Sequence, residues 1–317
     1  MMTIDVVIPT FKRPDNTKNL LTSILHQTVK PQKVIVVDDS PDSRTEQLII
    51  GLRHTFLESG VTLVHKYGAG PDRKGICRAR NLGMDETISE VVLFADDDVV
   101  LDIRYIEQLL ATYEKHPEAS GVQGYNGYKY RQPSYSLNKL FMLYYGEKAR
   151  TRVLNSTGLT WAYSVEDVIE CEWMTGTNSS YRRKVINEFR WDNKLGSYSL
   201  YDDVDFSCRV LKKYPHSLFL TPFARFVHNP SKSARRKRKL DTFIRFSYPL
   251  YFFKKDIKST FRNWLEFLWS MIGRLWIGFP WTEYPLQLYH MLNAYVFVLK
   301  NYKHILKGEF KFLADDK

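Results

Sequence analysis

The chain has 317 residues, 44% of them hydrophobic and 26% charged, with a formal net charge of +11. That composition excludes a disordered tail, a collagen-like fibre and a disulfide-stapled miniprotein, because a chain of this length buries one or two full cores. The charge is regional: from Ser231 onward there are 17 Lys and Arg against 7 Asp and Glu, while the first 230 residues carry 29 against 28. In chain order, the first half alternates short Val- and Ile-rich runs with amphipathic segments. Ile4–Pro9, Lys33–Val37, Val61–His65 and Val91–Phe94 predict buried strands of a mostly parallel sheet. Between and after them, Asn16–Gln27, a segment capped at Asp42 or Ser43 and running to Leu57, Gly75–Thr87 and Asp102–Lys115 predict helices. A β-α-β-α-β-α-β order places helices on both faces of the sheet. The ligand crevice is then expected beyond the strands' carboxyl ends, at Thr10–Pro14, Asp38–Pro41, Tyr67–Lys74 and Asp96–Asp98.

Gly121–Asp167 is rich in Gly, Tyr, Asn and Gln and predicts an irregular binding surface. Compact structure is expected again from Val168 to Met174 and Thr175 to Arg183, followed by a helix over Asp202–Lys213. Three carboxylates, Asp96, Asp97 and Asp98, directly follow the apolar run VVLFA. At a strand's carboxyl end they repel one another unless solvated or neutralised, and hard oxygen ligands in an open site suit Mg2+ or Mn2+; a solvated, capping loop is the plainer alternative. Asp38 and Asp39 end the second strand, where a carboxylate accepts hydrogen bonds from a base or from ribose hydroxyls. The chain contains neither GxGxxG nor GxxxxGK[ST], which disfavours a dinucleotide or P-loop site. Tyr201-Asp202-Asp203-Val204-Asp205 opens a helix with a second acidic cluster, in which one carboxylate can act as a base while a neighbour orients it. His228, in the strand-like string FARFVHNP, competes for the role of third metal ligand.

Taken together and in order, VVIPTFKR, VVDDS, ARNLGM, FADDD, GTNSSYRR, YDDVD and FVHNPS resemble the signatures of glycosyltransferase family 2, whose nucleotide-sugar-binding architecture is the GT-A fold. The resemblance covers roughly the first 230 residues and implies an inverting, metal-dependent hexosyltransferase. By that resemblance Asp39 holds the nucleoside base, Thr10, Arg13 and Asp97 line the nucleotide pocket, and Arg80 helps to neutralise phosphate. Asp96 and Asp98 form the metal-binding element, with His228 as a further ligand or pyrophosphate contact. Asp203 is the base, supported by Asp202 and Asp205; the family usually has Glu-Asp where this chain has Asp202-Asp203. Gly176 and Thr177 line the sugar and acceptor side. The implied donor is a UDP-sugar, with GDP- or dTDP-sugars as alternatives, and the implied cofactor is Mn2+ or Mg2+.

Residues 1–230 are therefore expected to form the catalytic domain and residues 231–317 a basic, aromatic helical region. That region holds 20 of the chain's 46 aromatic residues. In Phe261–Trp276, Phe261, Trp264, Leu265, Leu268, Ile272, Leu275 and Trp276 share a face opposite Arg262, Glu266, Ser270 and Arg274. With Trp269, Trp281, Lys254, Lys255, Lys258, Lys232 and Arg235–Lys239, this suits a helix lying in a lipid interface, and that reading is preferred to ordinary core packing. A Lys232–Lys239 loop closing over the diphosphate is an intermediate possibility. Three scattered cysteines fit a reducing compartment, and Asp5, Pro9, Lys12 and Arg13 interrupt any secretory apolar run. The longest uncharged stretch, Tyr284–Leu299, has 16 residues, short of the roughly 20 a spanning helix needs. The expectation is a peripheral enzyme at the cytoplasmic membrane face, acting on a polyprenyl-phosphate-linked glycan. The alternatives are a surface polysaccharide or a soluble acceptor. A metal-dependent nucleic-acid enzyme is a more remote reading, and the near-neutral first 230 residues argue against a nucleic-acid partner.

Overall fold

The computed structural model describes residues 2–68, 75–126, 135–143, 151–160, 165–195, 200–229, 238–275 and 284–310. It divides into two compact units: Met1–Tyr128 with Val165–Asn193 and Ser197–Ala234, and Lys129–Ser164 with Lys194–Gly196 and Arg235–Lys317.

The first unit is a mixed α/β structure around one sheet. Strands β1 (Ile4–Thr10), β2 (Lys33–Asp38), β3 (Thr62–Tyr67) and β4 (Val91–Ala95) run parallel in the order β3-β2-β1-β4. They alternate with helices α1 (Pro14–Leu25), α2 (Arg44–Glu58) and α3 (Ile76–Asp85). The elements fall where the apolar periodicity places them, because both sheet faces are covered and the strands are buried along nearly their whole length. Ile4, Val6 and Ile8 share a core with Leu20, Leu21 and Ile24 of α1, Ile49 and Phe56 of α2, and Tyr105, Ile106 and Leu109 of α4 (Tyr105–Lys115). On the opposite face α3 packs so closely that a Cβ on Gly83 would meet Val7 at 2.3 Å.

The sheet continues through β8 (Asn178–Arg182), antiparallel to β4, and β6 (Gly121–Tyr125). It closes on β9 (Leu218–His228), which pairs with β6 in parallel and with β5 (Val99–Leu101) and β7 (Ile169–Glu170) in antiparallel register. Gly121–Tyr125 is thus a central strand, where the sequence predicted the start of an irregular surface. Its glycines answer close packing: a Cβ on Gly121 would lie 2.6 Å from Met174 Cε, and one on Gly124 2.5 Å from the Ala224 carbonyl. Helices α6 (Arg183–Glu188) and α7 (Asp202–Lys213) complete this unit.

The second unit contains α5 (Tyr135–Leu140), an antiparallel bridge between Val153 and Leu159, α8 (Arg238–Asp256), α9 (Phe261–Arg274) and α10 (Tyr284–Lys307). Aromatic rings build its interior: Phe243 stacks on Phe297 at 4.6 Å and Phe253 on Phe267 at 4.6 Å. Thr260 caps α9 by accepting the Asn263 N–H at 3.2 Å. Among the described residues no helix is long and apolar enough to cross a membrane. Trp276, Trp281, Lys232 and Arg235–Lys237 lie outside the described residues, as does the Ala69–Lys74 part of the predicted crevice loop.

Candidate active site

Strand pairing assembles the site at the carboxyl edge of the sheet. Parallel registry of β1 with β2 and β4 brings Thr10, Asp38 and the residues after Ala95 to one edge. Antiparallel β8 places Asn178 opposite Ala95, so the Asp96 N–H donates to the Thr177 carbonyl at 2.9 Å. Pairing of Val99 with His228 then delivers the imidazole to Asp98.

Two polar groups result. In the first, Thr10 Oγ1 donates to Asp97 Oδ2 at 2.7 Å, and Arg13 Nη1 reaches Asp97 Oδ1 at 3.0 Å and Asp98 Oδ2 at 3.4 Å. His228 Nε2 lies 3.2 Å from Asp98 Oδ1. That hydrogen bond holds the imidazole pKa above its ordinary value, against desolvation. Burial pushes Asp97 up to about 6, although Thr10 and Arg13 favour its charge.

The second group is organised by Arg80, 1% exposed. Its Nη1 donates to Asp202 Oδ2 at 2.6 Å, and its Nη2 to Asp96 Oδ1 at 3.1 Å and to the Gly176 carbonyl at 2.7 Å. The guanidinium lies 4.4 Å over the Trp191 ring, which itself stacks on Phe206 at 4.4 Å. Burial works against this charge, but Asp202 and Asp96 raise the Arg80 pKa. Asp203 Oδ2 accepts the Gly176 N–H and Oδ1 the Val204 N–H, each at 2.9 Å. Burial, and after it the Asp202 carboxylate, push Asp203 up to about 6. Burial also pushes Asp96 up to about 7, with Arg80 opposing and Asp98 and Asp97 adding to the rise. Tyr201, with φ 66°, takes the left-handed conformation at the N-cap of α7, which turns Asp202 and Asp203 into the site.

Asp39 stands beside these groups. Its Oδ2 accepts the Gly75 N–H at 3.2 Å and its backbone N–H donates to the Thr10 carbonyl at 3.0 Å. Asp205 is turned along α7 to Arg209, 2.8 Å away, and Arg80 is engaged beneath the acidic edge. Thr177 meets the site through its backbone. The motif reading did not single out Trp191 or Asn81. Asn81 Oδ1 accepts the Trp191 N–H at 2.9 Å while its Nδ2 donates to the Trp191 carbonyl at 2.9 Å, fixing the ring beneath Arg80. The only sequence signal for that arrangement is Asn81 following Arg80.

Five carboxylates, Asp96, Asp97, Asp98, Asp202 and Asp203, thus face two guanidinium groups. Among the described residues no three His, Cys, Asp or Glu side chains are already gathered around a cation position. The donor chemistry nevertheless fits a divalent ion: Asp98 and His228 are adjacent, and Asp96 and Asp97 are raised by burial and crowding that a cation would relieve.

A mixed α/β sheet with this acidic carboxyl edge defines a glycosyltransferase of the GT-A fold. Residues 5–190 match the model described as Glycosyl transferase family 2, and the chain belongs to that family. It is 26% identical over 254 residues to an uncharacterized glycosyltransferase of Bacillus subtilis, YwdF, covering 76% of this chain and 82% of that one. It is also 26% identical over 125 residues, 39% of its length, to the glucosyl-dolichyl phosphate glucuronosyltransferase of Haloferax volcanii, and spans 38% of that relative's length. Among solved structures, mannosyltransferase PcManGT from Pyrobaculum calidifontis, in complex with GDP-Man and Mn2+, gives a TM-score of 0.56 at 17% identity. The match covers 94% of this chain and 75% of that one and shows the shared fold.

Proposed function

We propose that the chain moves a sugar, with inversion, from a nucleotide-diphosphate sugar to an acceptor hydroxyl on a polyprenyl-phosphate-linked glycan at the cytoplasmic face of a membrane. A UDP-sugar is the favoured donor, with GDP- and dTDP-sugars as alternatives. The observation that carries the reading is the Asp203 carboxylate, held by two backbone N–H groups at an edge shared with the Asp96–Asp98 cluster. The name of the Haloferax relative, a transferase acting on a dolichyl phosphate, supports the lipid-linked acceptor.

In this mechanism Asp39 receives the base, and Thr10, Arg13 and Asp97 form the wall against which the nucleotide lies. Asp96, Asp98 and His228 would hold Mn2+ or Mg2+, which when bound offsets the charge of the departing diphosphate. Arg80 holds Asp96 and Asp202 in place from beneath, and Gly176 and Thr177 border the sugar and acceptor side. Asp203 accepts the acceptor hydroxyl proton as that oxygen bonds to the anomeric carbon and the bond from that carbon to the phosphate oxygen breaks.

The test is a transfer assay with Mn2+ or Mg2+ over a range of pH. Asp203 acts only when ionised, so kcat/KM rises as pH passes about 6 and is level above it. Asp203→Asn should lower kcat by about 10²–10⁴-fold and remove that limb. Near wild-type turnover by this variant would exclude Asp203 as the base.

A further inference from the structure

Helix α9 inverts the arrangement expected of a helix beside water. Asn263, Ser270 and Gly273 are buried with Phe267 and Met271. Phe261, Leu265, Leu268 and Ile272, spaced by four, three and four residues along one face, are 81%, 52%, 53% and 47% exposed. The inward face is locked. Ser270 Oγ donates to the Ser156 carbonyl at 3.0 Å, Asn263 Nδ2 to the Lys258 carbonyl at 2.8 Å and Trp269 Nε1 to the Leu140 carbonyl at 2.8 Å. A Cβ on Gly273 would lie 2.2 Å from Phe141. The helix therefore cannot rotate its leucines inward without losing these contacts. Helix α10 repeats the pattern: Tyr289, Leu292, Val296, Leu299 and Tyr302 are exposed, while Met291, Ala294, Val298 and Ile305 are buried. Small and polar residues inside with large apolar residues outside is the distribution expected when the surrounding medium is lipid.

We propose that the outward faces of α9 and α10 form a lipid-contacting surface that lies in the interface of an anionic bilayer. Charge selects this occupant. Exposed Lys254, Lys255, Lys258 and Arg262 lead into α9, and exposed Lys300, Lys303 and Lys307 follow the α10 stripe. Glu266, the one acidic residue of α9, is bonded to Arg262 at 2.9 Å. A second copy would bring the same positive charge against itself, whereas anionic headgroups complement it. No described helix is long and apolar enough to cross, so the helices lie along the surface. The proposal deepens the reading that the acceptor is lipid-linked and rests on it only for the purpose of the attachment.

The test is flotation of the full chain with phosphatidylcholine vesicles, with and without phosphatidylglycerol. The wild-type chain should float with the mixed vesicles and progressively less as salt rises. Leu265→Glu/Leu268→Glu, with donor turnover retained as evidence of folding, should reduce partitioning roughly tenfold or more. Lys254→Ala/Lys258→Ala should reduce it only where phosphatidylglycerol is present. Undiminished flotation of both variants, no flotation of the wild-type chain, or a dimer in light scattering that Leu268→Glu dissociates would each overturn the proposal. Asp203→Asn separates the two readings, since it should float normally while transferring no sugar. A wild-type chain that floats but turns over no nucleotide sugar would leave the surface standing and remove the catalytic reading.

Discussion

Arg80 lies between Asp96 and Asp202, so the two acidic motifs share one cation instead of repelling across the site. The motifs themselves were legible, because runs of carboxylates after an apolar strand and at a helix start are local patterns. Burial of Arg80 was not, since it depends on Trp191 and Asn81 meeting it from a distant part of the chain. Resemblance assigned Arg80 to phosphate; the structure places its guanidinium against protein carboxylates and a carbonyl. Asp39 is positioned with equal economy of space: a Cβ on Gly68 would fall 1.7 Å from its Oδ1. Gly68→Ala must therefore displace the carboxylate that the proposed mechanism gives to the base. Loss of one hydrogen bond to a charged group predicts a donor KM about tenfold higher with kcat little changed. Steady-state kinetics check this, and an unchanged KM would remove Asp39 from donor binding.

At the scale of elements, the parallel strands and their helices could be read because β-branched runs and amphipathic periodicity point to the same structure. Strand β6 could not, since Gly121, Gln123 and Gly124 carry little strand propensity and are present because neighbours come close. The β6–β9 register shifts between Gln123 and Tyr125, where Gly124 meets the Ala224 carbonyl and the Tyr105 side chain. Gly124→Ala should therefore destabilise the fold by about 1–3 kcal/mol, as overpacking in a close-packed interior does. Urea denaturation should show a lower midpoint with an unchanged slope. An unshifted midpoint would mean that β6 and β9 can separate without cost.

On the scale of the whole molecule, the +11 charge that first suggests a nucleic-acid partner belongs almost entirely to the residues after the last acidic-site element. The near-neutral first unit carries the chemistry, and the second unit carries a basic, outwardly apolar helical surface. Periodicity revealed the amphipathic α9 but not which of its faces is covered, because Ser156, Phe141 and Leu140, which cover its inward face, lie far away in sequence. The central claim, one-step displacement at the anomeric carbon with Asp203 as the base, is tested most directly by the configuration of the transferred sugar. Using whichever UDP-, GDP- or dTDP-sugar turns over, NMR of the product should show the anomeric configuration opposite to that of the donor. A product that retains the donor's configuration would contradict the account.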